Sequence, residues 1–154
     1  MKKMYTLWLM LANARDAIQE LRKKELRKYG ISPQQAGILF RIKILGGNTT
    51  PAELSRLSFR KANTTTVILK RMTVNGLVKK RIDRKRKNSK RITLTEKGER
   101  LYQIATRRES IYKAFSGLSK EQLEQLHDIL QIILNTSGKQ LKVNFEKFYT
   151  LLDK

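Results

Sequence analysis

Ala62-Asn63-Thr64-Thr65-Thr66-Val67-Ile68-Leu69-Lys70-Arg71-Met72-Thr73-Val74-Asn75-Gly76-Leu77-Val78 is the stretch on which the fold turns. Thr65, Ile68, Leu69 and Met72 fall at spacings of 3, 1 and 3, which is one face of a helix. Asn63, Thr64, Thr66, Val67 and Lys70 fall on the other side. Gly76 supplies the left-handed position that usually follows a helix end. Beyond it the period drops from about 3.6 to 2. Val78 and Ile82 alternate with Lys79 and Arg81, then Ile92 and Leu94 with Arg91 and Thr93. The polar run Asp83 to Lys90 lies between them. This pattern predicts a helix leading into a hairpin of two short strands with a long cationic tip.

Upstream and downstream, helix starts punctuate the chain. Ser32-Pro33-Gln34-Gln35, Thr50-Pro51-Ala52-Glu53 and Ser119-Lys120-Glu121-Gln122 are capping boxes. In each, a hydroxyl accepts from an orphan backbone N–H while the Glu or Gln reaches back to the cap. Both prolines sit at first-turn positions, where a missing N–H costs nothing. Gly30 and Gly46-Gly47 mark stops. A helix is expected to resume near Glu96, capped by Thr95, and to run with the stripe Leu101, Ile104, Ala105, Ile111, Tyr112 and Phe115 to Gly117. Another carries Leu123, Leu126, Ile129, Leu130, Ile133 and Leu134, with a break expected over Asn135 to Gly138. A last amphipathic segment holds Leu141, Phe145, Phe148 and Leu152.

The fold class that follows is mainly α with a small two- to three-stranded antiparallel wing. A winged helix-turn-helix over residues 31–98 is joined to a helical region, 1–30 and 99–154, as a single structural unit. The apolar stripes of the flanking helices need a partner, and a second copy of the chain is the simplest one.

Composition narrows the function. The 154 residues carry 34 Lys and Arg against 13 Asp and Glu, a net charge of +21. Such a surplus suits a polyanion. From Arg56 to Arg91 there are 14 basic residues and one acid, Asp83, so +13 is concentrated in 36 residues. A hairpin tip this cationic repels itself unless an anion lies close, and a phosphate backbone is such an anion. Cysteine is absent, which excludes disulfides, thiolate metal sites and thiol switches. The lone His127, among Leu126, Ile129 and Leu130, reads as a helix residue, not a catalytic base or a metal ligand. No carboxylate pair and no Gly-rich phosphate loop occurs, so an enzyme is not expected, nor a cofactor. Lys2-Lys3, the apolar run to Ala12 and Ala12-Asn13-Ala14 imitate a secretory signal. The apolar spacing continues past the supposed cut through Met4, Leu7, Trp8, Leu11, Ala14, Ile18 and Leu21. One helix over both sides and a cytoplasmic chain are therefore expected.

These residues resemble the MarR family of bacterial transcriptional regulators from about Tyr29 to Ala105. The resemblance rests on Gly30-Ile31-Ser32, on Glu53-Leu54, on Arg71 to Val78, and on Ile92-Thr93-Leu94-Thr95-Glu96-Lys97-Gly98. It implies a homodimer with two winged helix-turn-helix lobes on a helical base, recognition helices in successive major grooves and wings in the flanking minor grooves. By position, Lys61, Asn63, Thr64, Thr66 and Val67 would face base edges. Thr50, Arg60, Lys70 and Arg71 would meet phosphates, and Arg84, Lys85, Arg86 and Lys87 would form the wing tip. The family often holds a wing Arg with an acid two positions before it. Here those positions are Arg86 and Asn88, so the acid is missing, and Arg86 and then Lys87 are the candidates for the minor groove. The stretch 139–154 looks like an addition beyond the usual family end.

Independently of the resemblance, Asn suits a bidentate bond to adenine, Thr a base edge, and Val a thymine methyl. The expected function is sequence-specific binding of double-stranded DNA by a homodimeric transcriptional regulator at a pseudo-palindromic operator, and the resemblance implies a response to a small ligand. Trp8, Arg15, Phe40 and Tyr112 could line a space for a small aromatic or anionic effector. The rival is a basic protein, architectural or RNA-binding, that holds nucleic acid without reading sequence. A peripheral membrane protein would leave the two-strand pattern unexplained.

Overall fold

The computed structural model describes residues 1–58, 62–83 and 89–150. The helices are α1 (Lys2–Arg27), α2 (Pro33–Ile44), α3 (Pro51–Leu57) and α4 (Ala62–Val74). Strands β1 (Val78–Asp83) and β2 (Ser89–Leu94) follow, then α5 (Glu96–Ala105), α6 (Glu109–Phe115), α7 (Lys120–Leu141) and α8 (Glu146–Tyr149). Residues 1–114 and 115–154 form two compact units. The boundary lies within the 99–154 stretch read as one helical region.

All three capping boxes form, at Ser32 with Gln35, Thr50 with Glu53 and Ser119 with Gln122. Gly30, Gly46, Gly47 and Gly76 all take positive φ, the backbone conformation that ends a helix at little cost only for glycine.

In the first unit the core gathers Leu26 from α1, Ile38, Leu39 and Ile42 from α2, Leu54 from α3, Leu69 and Met72 from α4, and Val78 and Ile92 from the strands, each nearly or fully buried. Strands β1 and β2 are antiparallel, with Val78 opposite Leu94, Lys80 opposite Ile92 and Ile82 opposite Lys90. A third segment of chain joins the ribbon at Thr49, whose backbone exchanges hydrogen bonds of 3.1 and 2.7 Å with Ile92 on the other edge of β2. This bridge anchors the start of α3 to the ribbon. Gly98 lets α5 press against the ribbon's root: a Cβ there would lie 2.0 Å from the Leu77 carbonyl oxygen.

The structure departs from two expectations. The helix expected from Glu96 to Gly117 is two helices. Arg108 turns left-handed at φ 51° between them, and α1 supplies the partners that fix the junction. Arg22 donates through Nη2 to the Ala105 carbonyl and pairs through Nη1 with Glu25 at 2.8 Å. Glu25 accepts from the Ser110 amide at 3.2 Å and from the Ser110 hydroxyl. The Glu25 carboxylate thus serves the first turn of α6, whose amides lack helical partners. Burial raises its pKa, but the Ser110 hydroxyl, Arg22 and the Ser110 amide outweigh burial and hold it below the usual range.

The second difference lies in the second unit, where α7 runs unbroken through Asn135 to Gly138. Its end comes later, at Lys142, left-handed at φ 55°. Val143 N–H bonds to the Gly138 carbonyl at 2.8 Å and Lys142 N–H to that of Lys139 at 3.4 Å, the paired bonds of a Schellman ending. Gly138 is needed for proximity: a Cβ would lie 2.5 Å from the Val143 carbonyl oxygen. A short α8 follows. Leu152 lies outside the described residues.

In α1 only Arg22 and Leu26 are buried. Met4, Leu7, Trp8 and Leu11 are exposed, and the Tyr5 and Trp8 rings stack at 5.5 Å. A single helix spans the supposed signal-peptide cut, as expected. Among the described residues no helix is long and apolar enough to cross a membrane.

Candidate nucleic-acid interface

Helix α4 has two sides with separate tasks. Thr65, Leu69 and Met72 are buried and Ile68 is partly so, matching the stripe read from the spacing. Asn63, Thr64, Thr66, Val67, Lys70 and Arg71 are exposed. At 100° per residue, Asn63, Val67, Lys70 and Val74 form the centre line of the outward side. Thr64 and Arg71 flank it on one edge and Thr66 on the other. Val74, not singled out from the sequence, continues the line and is 81% exposed. Its spacing of 4, 3 and 4 from Asn63 through Val67 and Lys70 is the signal that could have found it.

The end of α4 is tied down from behind. Lys97 donates to the Asn75 carbonyl at 3.0 Å, placing a cation at the negative end of the helix dipole. Thr95 caps α5 by accepting from the Gly98 amide at 3.0 Å, while its own amide bonds to the Leu77 carbonyl at 3.1 Å. The helix and the ribbon root therefore hold a fixed relation.

The ribbon carries Lys79, Lys80, Arg81 and Lys90 exposed. Arg81 faces Arg91 across the strands, a repulsive pairing in isolation. Asp83 relieves it through an ion pair with Arg91 Nε at 3.3 Å, where both side chains are mostly shielded. The lone acid of the basic run thus neutralises a sheltered cation, and the exposed Lys79, Lys80, Arg81 and Lys90 form no ion pair among the described residues.

Thr50 is the N-cap of α3. Its hydroxyl accepts from the Glu53 amide at 3.2 Å and lies 3.1 Å from Glu53 Oε2 as a donor, so its one proton is engaged within the cap. Glu53 also accepts from the Thr49 hydroxyl and the Thr50 amide, each at 2.8 Å. The Thr49 bond comes first in lowering the Glu53 pKa; burial opposes it, and the Thr50 bonds and the charge of Arg91 add to it. Arg60 and Lys61, and the tip residues Arg84, Lys85, Arg86 and Lys87, lie outside the described residues.

The four effector candidates have different surroundings. Arg15 lines a groove of about 450 Å³ with Gln19, Pro33, Gly37, Arg41 and Ser58. Trp8, Phe40 and Tyr112 are not part of that lining. Phe40 lies beneath the Arg108 guanidinium at 4.9 Å, and Trp8 and Tyr112 are exposed. Among the described residues no cluster of His, Asp or Glu could hold a metal ion.

The chain matches no protein-family model and no curated protein sequence. It is similar in structure to the organohalide-sensing regulator RdhR-CbdbA1625 in its 2,4-dichlorophenol-bound form, with a TM-score of 0.81 and 24% identity over 88% of this chain and 82% of that one. It is also similar to a mutant of MarR from E. coli complexed with operator DNA, with a TM-score of 0.79 and 18% identity over 86% of this chain and 96% of that one. The transcriptional regulator SlyA gives a TM-score of 0.79 at 22% identity, covering 88% and 96%. The fold is that of the MarR winged-helix regulators.

Proposed function

We propose that the protein is a sequence-specific regulator of transcription that binds double-stranded DNA as a homodimer. The observation that carries this is the outward side of α4: a solvent-facing row of Asn, Thr, Val and Lys, backed by a core stripe and followed by a ribbon with exposed cations. Such a helix can enter a major groove while the ribbon meets the neighbouring backbone. The similar protein MarR was crystallised with operator DNA.

Dimerisation is supported by the exposed apolar residues along the first turns of α1, Met4, Leu7, Trp8 and Leu11. A two-fold pair of lobes would place two α4 helices on half-sites about 34–36 Å apart, hence a pseudo-palindromic operator. Ligand response is supported by the groove that Arg15, Asp16, Gln19, Pro33 and Arg41 line, and by dichlorophenol bound to a structure of the same fold.

The test is competition. A genomic fragment isolated by footprinting is bound in the presence of excess random duplex, with Asn63→Ala and Arg71→Ala compared. Asn63→Ala should cost about 1–3 kcal/mol at one base pair, and Arg71→Ala should weaken all sequences alike and reduce the salt slope by about 1. Equal binding to specific and random duplex, unaltered by Asn63→Ala, would instead establish the non-specific reading.

A further inference from the structure

Two valines stand out on the outward line of α4. Val67 is 51% exposed and Val74 is 81% exposed. Burying a valine is worth about 1.5–3 kcal/mol, and neither side chain gains that in the free protein. With Lys70, Arg71, Asn75 and Gln35 of α2 they line one concave surface of about 470 Å³. The two cations stand between the two apolar groups. A purely apolar partner would desolvate Lys70 and Arg71 without compensation. What fits is a surface with small apolar knobs set between rows of negative charge.

The major groove of DNA offers that combination. Its apolar feature is the C5-methyl of thymine, and phosphates line both edges. Seven helical residues advance about 10 Å, while stacked bases repeat every 3.4 Å or so. Val67 and Val74 can therefore cover methyls no more than about three base-pair steps apart. Asn63, one turn before Val67, suits adenine. We propose that each half-site is rich in A·T pairs and is read through two thymine methyls, one against Val67 and one against Val74. This rests on the DNA-binding reading above and adds the chemical group that is recognised. It makes Val74 a specificity residue and makes the methyl itself, rather than the hydrogen-bonding pattern of the A·T pair, the quantity measured.

The experiment uses the full-length protein and a duplex carrying its footprinted site. Each thymine of the half-site is replaced in turn by deoxyuridine, which removes one methyl and nothing else. Two positions should each lose about three- to fivefold in affinity, the worth of one buried methyl group. Val67→Ala should abolish the loss at one of these positions and Val74→Ala at the other, while both variants keep the wild-type melting temperature. If the protein prefers its site over random duplex but no deoxyuridine changes affinity, the inference fails and the DNA-binding reading stands. If both variants lose as much on uridine as the wild type does, the valines are not the readers and the inference is overturned. If the protein shows no preference for the site at all, the reading beneath it fails as well.

Discussion

Gly98→Ala should destabilise the protein although glycine is a poor helix former. In an unconstrained helix interior this substitution gains about 0.8–1.0 kcal/mol. Gly98 is in the first turn of α5, where an added Cβ would lie 2.0 Å from the Leu77 carbonyl oxygen and 3.0 Å from its carbon. Both are backbone atoms, so no side chain can swing aside. Restoring ordinary contact requires α5 to retreat by about 1.5 Å from atoms held at van der Waals distance. Overpacking of this kind costs about 1–3 kcal/mol. The same movement strains the bond from Thr95 N–H to the Leu77 carbonyl, worth about 1 kcal/mol. Setting these against the helix gain leaves a net loss of about 2 kcal/mol, or roughly 4–8 °C in melting temperature for a chain of this size. Thermal unfolding followed by circular dichroism measures it. Gly117→Ala is the control, since a Cβ there meets nothing within 4 Å and its φ is not positive; it should be neutral or stabilising by up to about 1 kcal/mol. If Gly98→Ala melts at or above the wild-type temperature, the close approach of α5 to Leu77 is wrong.

Arg22→Met should cost about 3–5 kcal/mol, because it strands the Glu25 carboxylate in a shielded site; chemical denaturation of the two proteins gives the difference, and a loss below 1 kcal/mol would show the junction is held by other contacts. Glu25 and Glu53 have pKa values lower folded than unfolded, so their contribution is present above the ordinary carboxylate range and disappears as pH falls through the folded values. Melting temperature should therefore drop between about pH 5 and pH 3, and Glu53→Gln should flatten part of that slope; an unchanged slope in the variant would contradict the assignment. Thr65→Val should raise stability by about 1 kcal/mol, since the fully buried Thr65 hydroxyl has no hydrogen-bond partner among the described residues, and a lower melting temperature would mean the hydroxyl is satisfied. For the proposed homodimer, Leu7→Glu with Leu11→Glu should convert the particle seen by light scattering from two chains to one of 18.0 kDa; an unchanged mass would remove α1 from the proposed contact.

Local chemistry was legible in the sequence and long-range chemistry was not. The capping boxes at Ser32, Thr50 and Ser119 need only residues three apart, and the two sides of α4 need only helical periodicity. The break between α5 and α6 was invisible because its causes are distant: Arg22 reaches Ala105 and Glu25 reaches Ser110 across more than eighty residues. Gly138 misled for a different reason. Glycine signals either a left-handed turn or a close approach, and a single sequence does not separate the two; here Val143 and Phe145 crowd it. The third segment of the ribbon, the single bridge of Thr49 to Ile92, is too short to leave a pattern. At the candidate interface the exposed positions followed from spacing. The donation of the Thr50 hydroxyl proton to Glu53 Oε2 and the neutralising of Arg91 by Asp83 required coordinates.

The division of α4 into two sides has an evolutionary consequence. The buried stripe and the outward line share no residue, so selection can act on one while the other drifts. Replacements at Asn63, Val67, Lys70 and Val74 fall on solvent-facing positions, where most substitutions alter stability by no more than about 0.5 kcal/mol. A duplicated copy of this chain could acquire a new target one position at a time without passing through an unfolded ancestor. A laboratory library randomised at those four sites should retain the melting behaviour of the parent while its members diverge in the sites they select.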